Sequence, residues 1–352
     1  MIKNLTQVLF VTILFFVIAF PAQAGAGSWT TGWNLDDVPS NNVISQILIS
    51  PSDKNVLYAG GYSGIRKSIN GGASWTKLEN FGTHDVRTIA IDPKNTNIVY
   101  AGAASEGMYK SVDAGQTWTQ TSLVDQTGSM TYIFSAVIST HPKNRIFAAS
   151  HAGSAPLEST GVFVSSDNGT SWIKSGLEGH EIRSLYADPN SKAVYAVDLH
   201  EGVYKLHNNG NSWELIFNHP SGNTPNFTFT VAVDPKNSKK IYVGAWDGLY
   251  ISIDSGKTWK KDPTPWMGKV RDITVSPFDS KIIYIRLHGG VVKSIDGGVN
   301  WDGAAYSHSN LLVWNGFAVA WNSLTENILY AGMIDNPTQA PQGVWQFTDI
   351  NN

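Results

Sequence analysis

The 352-residue chain contains no cysteine, which excludes disulfides, thiolate nucleophiles, Cys-ligated zinc and lipid attachment at an N-terminal Cys. Charge is also scarce. Only 15% of residues are charged and the net charge is −3, with no basic run, so nucleic acid is not expected as a partner. There is no HExxH, GxSxG, phosphate-loop or GxGxxG motif, and the nine His show no metal-ligand spacing. No cofactor, metal site or catalytic residue is assigned.

What the chain does have is apolar and aromatic mass. At 42% hydrophobic, with 13 Trp, 13 Tyr and 14 Phe, it can fill one large core or two ordinary ones. Its N-terminus reads as a signal peptide over 1–24. Lys3 supplies the positive start, Val8 to Phe20 the short apolar run, and Ala22-Gln23-Ala24 a small-x-small cleavage site. An uncleaved anchor is the alternative, because the run is near the lower limit for a membrane span. No later run is long enough to span a bilayer, so after cleavage no membrane insertion is expected and the chain is placed in the periplasm or outside the cell.

An eight-residue pattern then recurs. SINGGASW (68–75), SVDAGQTW (111–118), SSDNGTSW (165–172), LHNNGNSW (206–213), SIDSGKTW (252–259) and SIDGGVNW (294–301) follow one another at intervals of 41 to 54 residues. Upstream of each lies a common frame, clearest in VRTIAIDPKNTNIVYAGAASEGMYKS (86–111). It reads as an apolar run, an Asp-Pro turn, a second run ending in Tyr-Ala-Gly, then Gly-x-Tyr-Lys-Ser. Asp92-Pro93, Asp188-Pro189 and Asp234-Pro235 suit type I turns. The unit is therefore four strands.

In the recurring pattern, Asp113, Asp167, Asp254 and Asp296 can cap a turn's N–H groups, and the Gly supplies positive φ. Trp75, Trp118, Trp172, Trp213, Trp259 and Trp301 start the outer strand. Asn70 and Asn208 replace the Asp in two copies. An amide still caps a turn but cannot act as a general acid or strong cation ligand, so the pattern reads as architecture. A cation held at Asp167-Asn168-Gly169 is the alternative.

Seven frames begin near Val43, Val86, Tyr132, Ile182, Phe229, Val270 and Phe317, and the last ends without its outer strand. The segment SWTTGWNLDD (28–37) can supply it. The expected fold is all-β: residues 25–352 form a single seven-bladed β-propeller closed by pairing of the N- and C-terminal strands.

These boxes resemble the Asp-box, or BNR, repeats of sialidases, sortilin-type receptors, xyloglucanase-type glycoside hydrolases and the propeller factors that assist photosystem II assembly. The Ala-Ile-Asp-Pro and Tyr-Ala-Gly frame (90–93, 100–102) is most similar to the last two groups. For fold the resemblance is specific; for function it spans hydrolases and non-catalytic binders. It implies an Arg motif in the first blade if the chain were a sialidase, yet no Arg precedes Arg66. A xyloglucanase-like role implies two carboxylates facing across a cleft, usually between two propellers, and this chain has repeats for one.

Two regions remain as candidate sites, on the face opposite the boxes. Long polar loops lie at 119–130, 151–160, 217–226, 302–310 and 334–343, carrying His151, Tyr306 and His308. Arg87, Arg183 and Arg271 occupy one frame position, five residues before the first turn residue, in alternate blades. Ser45, Ala136, Phe229 and Phe317 stand there in the others. Three converging guanidiniums suit a carboxylate or an acidic peptide end. The competing assignment is structural pairing with Asp85, Glu181 or Asp272. Glu106, Glu201 and Asp247, with Trp246, are either those partners or a separate polar ring. The chain is thus read as an exported, monomeric binding or scaffold propeller for a protein or acidic peptide, with a glycan-binding or glycan-hydrolysing propeller as the alternative.

Overall fold

The computed structural model describes residues 27–31, 44–104, 106–123, 132–140, 144–151, 160–191, 193–207, 212–220, 227–264, 268–287, 290–302, 318–321, 328–333 and 343–349. The expected signal peptide and Asn208 lie outside them. Strands dominate, and among the described residues the one helical turn is a 3-10 turn at Glu79–Phe81. No helix among them is long and apolar enough to cross a membrane.

Four-stranded antiparallel sheets form over 44–77, 86–120, 132–176, 182–218 and 228–261. A sixth combines 318–349 with the N-terminal strand Gly27–Thr31. In that sheet Trp29 is opposite Phe347 and Gly27 opposite Asp349. The innermost strands touch one another in chain order, and the last returns to the first, so the sheets form a closed propeller.

The blade count departs from the sequence expectation of seven. Among the described residues six blades have four strands, and the segment 270–294 forms a three-stranded sheet. The reason lies after Trp301. Elsewhere the box Trp is followed by Thr, Ile, Glu or Lys and then an outer strand, whereas here Asp302-Gly303-Ala304 follows, residues poor at holding a strand. One backbone bond, Asp302 N–H to Lys293 O at 2.8 Å, carries the pairing to the end of the described segment.

Packing repeats with the blades. Tyr58, Tyr100, Tyr195, Tyr242 and Tyr330 take the same place on the second strand and are fully buried, with Phe147 as their counterpart. At the turn after the innermost strand, buried Asp92 accepts the Lys94 N–H at 2.8 Å and is bridged to the next blade by Asn144 Nδ2 at 2.8 Å. Asp188 and Asp234 cap their turns in the same way.

The box is a turn held by its own side chains. Ser111 Oγ donates to Asp113 Oδ1 at 2.7 Å and accepts the Gly115 N–H at 2.8 Å. Thr117 donates its N–H to Asp113 Oδ1 at 2.8 Å and its hydroxyl to Oδ2 at 2.5 Å. Ala114 and Gly115 both have positive φ, at 57° and 92°, which places an obligatory Gly second. Trp118 Nε1 closes the loop onto Gly115 O at 3.0 Å. In the Asn70 copy Ser74 N–H still donates to Oδ1 at 2.8 Å, and Asn70 Nδ2 donates to Ser74 Oγ at 2.8 Å. The amide reproduces the carboxylate's contacts with one donor reversed.

The hydrogen bonds from Thr117, first the hydroxyl and then the N–H, with that from Ser111, hold the Asp113 carboxyl at about 2, well below its ordinary value. Asp167 and Asp254 are also held at about 2. A depressed carboxylate stabilises the fold above its unfolded pKa of about 4 and loses that effect as pH falls toward 2. Replacing Asp113, Asp167 and Asp254 together by Asn should preserve the fold at neutral pH and flatten the fall of Tm between about pH 4 and pH 2. Thermal melts across that range check this. An Asn variant as acid-sensitive as the parent would contradict it. Trp118→Ala should cost about 3 kcal/mol, since Trp118 also packs edge-on against Phe81 at 4.9 Å.

Candidate functional site

Each of six innermost strands carries one residue too many for its partner. The register slips between Ile44 and Gln46, Val86 and Thr88, Ile133 and Ser135, Ile182 and Ser184, Thr228 and Thr230, and Val270 and Asp272. The extra residues are Ser45, Arg87, Phe134, Arg183, Phe229 and Arg271. A bulge twists the strand and re-aims the side chain it carries. All six lie at the strand end away from the boxes. The residue after the bulge ties the ring laterally: Gln46 Oε1 accepts Ile89 N–H at 2.5 Å, Thr88 Oγ1 accepts Ala136 N–H at 2.9 Å, and Ser135 Oγ accepts Leu185 N–H at 3.0 Å.

This register corrects one sequence assignment. Phe134, not Ala136, is the equivalent of Arg87. Buried Ser139, rather than the following His141-Pro142, takes the place of Asp92 at the end of the strand. The bulge positions therefore run Ser, Arg, Phe, Arg, Phe, Arg around the axis.

Arginines and aromatics interlock there. The Arg183 guanidinium lies 5.1 Å from the Phe134 ring centre and that of Arg271 lies 4.2 Å from Phe229. Arg87 sits over Tyr62 at 4.8 Å and Tyr132 at 5.8 Å. Cation–π contact of this kind orients a guanidinium without neutralising it. Arg87 is also neutralised, by two hydrogen bonds to Asp85 Oδ2 at 3.1 and 2.6 Å. Burial is the largest single influence and opposes its charge, but the bond to Asp85 and the charge of Asp85, with Tyr132 and Tyr62, together outweigh it and its pKa is raised.

Arg183 and Arg271 differ. Among the described residues neither has a hydrogen-bonded carboxylate. Glu181 is instead 3.0 Å from His200 Nε2, and Asp272 Oδ1 accepts the Ile273 N–H at 2.9 Å. Burial lowers the pKa of both arginines, and for Arg183 the neighbouring Arg271 and Arg87 lower it further while Glu181 and Tyr132 only partly offset this. The guanidiniums are thus close enough to repel one another. A fourth, Arg286, was not foreseen. Burial lowers it to about 10, with Asp272 attracting and Arg271 and Arg183 repelling, and its Nε has no partner among the described residues. The signal was legible. Arg286 pairs with Asp272 where Gly60, Gly102 and Gly244 pair in other sheets. A Cβ at Gly102 would lie 2.5 Å from Ile133, so in those sheets no side chain fits.

Glu106, Glu201 and Asp247 do not pair with these arginines. Each joins a Tyr three residues on and a His from the preceding connection. Tyr109 donates to Glu106 at 3.1 Å, with His84 Nδ1 2.5 Å away. Tyr204 donates to Glu201, with His180 Nδ1 3.8 Å away. Tyr250 donates to Asp247 at 2.9 Å, with His219 Nε2 at 3.0 Å and Lys261 Nζ at 2.5 Å. Trp246 belongs with the ring's aromatics, tilted against Phe229 at 6.4 Å, and carries Lys269 Nζ 3.5 Å above it. Tyr306, His308, Phe317 and most of the long loops lie outside the described residues. Among those described, no group of three His, Asp or Glu could hold a metal.

No family model matches the chain. A xyloglucanase of Hypocrea jecorina (strain QM6a) is 25% identical over 277 residues, covering 67% of this chain and 30% of its own length. This chain therefore spans about a third of that relative. Among solved structures, YCF48 bound to D1 peptide superposes with a TM-score of 0.65 at 13% identity, over 92% of this chain and 97% of its own. The GH74 xyloglucanase from Xanthomonas campestris gives 0.61 at 15% identity, over 91% and 55%. The resemblance to photosystem-assembly and xyloglucanase propellers holds, and these likenesses establish the propeller fold.

The geometry separates the arginines by role. Arg87→Gln should lower Tm, because it strands Asp85, whose Oδ1 is already buried without a partner. Arg183→Gln and Arg271→Gln should leave Tm unchanged or raise it, since each removes a repelling charge. Differential scanning calorimetry of the three variants checks this, and equal destabilisation by all three would contradict it.

Proposed function

We propose that the chain is a non-catalytic recognition propeller that binds a carboxylate-bearing peptide segment at the arginine–aromatic ring. The observation that carries this reading is the pair Arg183 and Arg271. Each is oriented by a Phe, repelled by its neighbours and without a hydrogen-bonded carboxylate among the described residues. A carboxylate placed between them would relieve the repulsion and accept paired planar hydrogen bonds, while the half-buried Phe134 and Trp246 offer apolar surface to adjoining side chains. The D1 peptide complex of YCF48, a propeller of similar fold, supports a peptide as ligand. The signal-like segment 1–24 supports export, so the partner would be met in the periplasm or outside the cell, where the chain acts as a monomeric scaffold.

A glycoside hydrolase of the xyloglucanase type is the second reading, favoured by the 25% identity to a xyloglucanase. Against it, Glu106, Glu201 and Asp247 are each bound to a Tyr and a His or Lys of their own rather than facing one another across a groove.

Fluorescence anisotropy with a labelled peptide ending in two acidic residues and a free C-terminal carboxylate tests the proposal. Binding should weaken with salt, and the Arg183→Gln/Arg271→Gln double variant should weaken it at least about tenfold, a loss of about 1.4 kcal/mol. Equal binding by parent and double variant would reject the site. Release of reducing sugar from xyloglucan would favour the hydrolase.

A further inference from the structure

At the box edge, the blades are latched to one another by a repeated contact. Tyr58 Oη and Lys67 Nζ both donate to Ala114 O of the next blade's box, at 2.9 and 2.8 Å. Tyr100 Oη and Lys110 Nζ both donate to Asn168 O, at 3.0 and 2.9 Å. Lys240 Nζ reaches Gly297 O at 2.9 Å, and Tyr330 Oη reaches Gly71 O at 3.0 Å. In every case the acceptor is the first left-handed residue of the box, whose carbonyl the turn exposes.

Between the 182–218 and 228–261 sheets the same parts are present and the latch is not made. Tyr195 and Lys205 are the counterparts of Tyr58 and Lys67, and Ser255, with φ of 67°, is the counterpart of Ala114. Among the described residues neither side chain has a hydrogen-bond partner; Lys205 rests 5.7 Å from the Tyr195 ring centre. A cavity of about 300 Å³ opens instead, lined by Tyr195, Lys205, Ser255, His207, Glu214 and Lys239 among others. Its volume is at the lower end for small-ligand sites.

The lining defines the ligand chemistry. Lys205 and Lys239 bring two ammonium groups. Burial raises the Tyr195 phenol pKa, so it stays a neutral donor. Each wall also carries an acceptor: Glu214, paired with Lys205 and 3.3 Å from His207 Nε2, on one, and the carbonyl of Ser255, which is bonded through its N–H to Lys239 O, on the other. Cationic donors interleaved with acceptors match a molecule that carries an anionic head beside hydroxyl groups.

We propose that this open junction is a binding site for a small hydroxylated carboxylate of sugar-acid size, separate from the arginine ring at the opposite end of the strands. The carboxylate takes the place of the missing box carbonyl as acceptor for Tyr195 and Lys205, and a ligand hydroxyl donates to Ser255 O.

Titration of the isotope-labelled protein with D-glucuronate, followed by NMR, tests it, with D-glucose as the neutral control. Saturable shifts should appear at Lys205, His207 and Ser255, and glucose should bind at least about tenfold more weakly. Lys205→Met should weaken glucuronate about tenfold and Tyr195→Phe, which preserves the packing, by several-fold. Lys67→Met, the same change at a latched junction, should leave the affinity unchanged. Absence of saturable shifts, equal binding of glucose, or an equal loss from Lys67→Met would overturn the proposal. The glucose comparison uses the unaltered protein, so it decides even if a variant fails to fold.

Discussion

One extra residue at the start of six innermost strands sets both the cohesion and the chemistry of this propeller. In a regular ladder every side chain near the axis would alternate between the two faces of its sheet. The bulge breaks that alternation at one level of the ring, so six side chains are re-aimed together. The residue that follows uses its polar side chain to bind the next blade's backbone, as Gln46, Thr88 and Ser135 do. The irregularity that exposes the arginines thus also joins the sheets that carry them.

The two ends of the strands solve opposite problems. At the box end, turn amides and side chains satisfy one another, and at four junctions the exposed carbonyl latches a blade to its neighbour. Charge there is tied down: Asp113, Asp167 and Asp254 are strongly acidic because hydroxyls and N–H groups converge on them. At the bulge end, positive charge accumulates faster than it is neutralised. Asp85 answers Arg87, but among the described residues Arg183 and Arg271 have stacking partners in place of a hydrogen-bonded carboxylate. A cluster of like charge is costly to assemble and gains most from an anion that arrives from outside.

Much of this was legible in the sequence. The box positions announced a turn, and the Asn70 copy showed that the carboxylate was dispensable as a charge. The alternate-blade arginines were found from spacing alone. The bulge itself was not, because an extra residue in a strand leaves no mark on an apolar pattern. That gap produced the error at Ala136, where His141-Pro142 imitated an Asp-Pro turn and hid Phe134. The seven blades expected from the repeats become six among the described residues, and the weak strand formers Asp302-Gly303-Ala304 behind the last box were the signal passed over. Arg286 stood in plain view as the replacement of a Tyr-Ala-Gly glycine, and only the pairing with Asp272 gave that substitution a place in the ring. The unmade latch at Ser255 required coordinates, since Tyr195, Lys205 and the box are all present in the sequence.

The central claim is that the unneutralised arginines of the bulge ring meet a carboxylate. A crystal structure of the protein with a bound acidic peptide tests it most directly. The account predicts a peptide carboxylate between Arg183 and Arg271, within hydrogen-bonding distance of both, with Phe134 and Phe229 still beneath the guanidiniums. A peptide bound at the box edge, or arginines turned apart into separate blade interfaces, would contradict it.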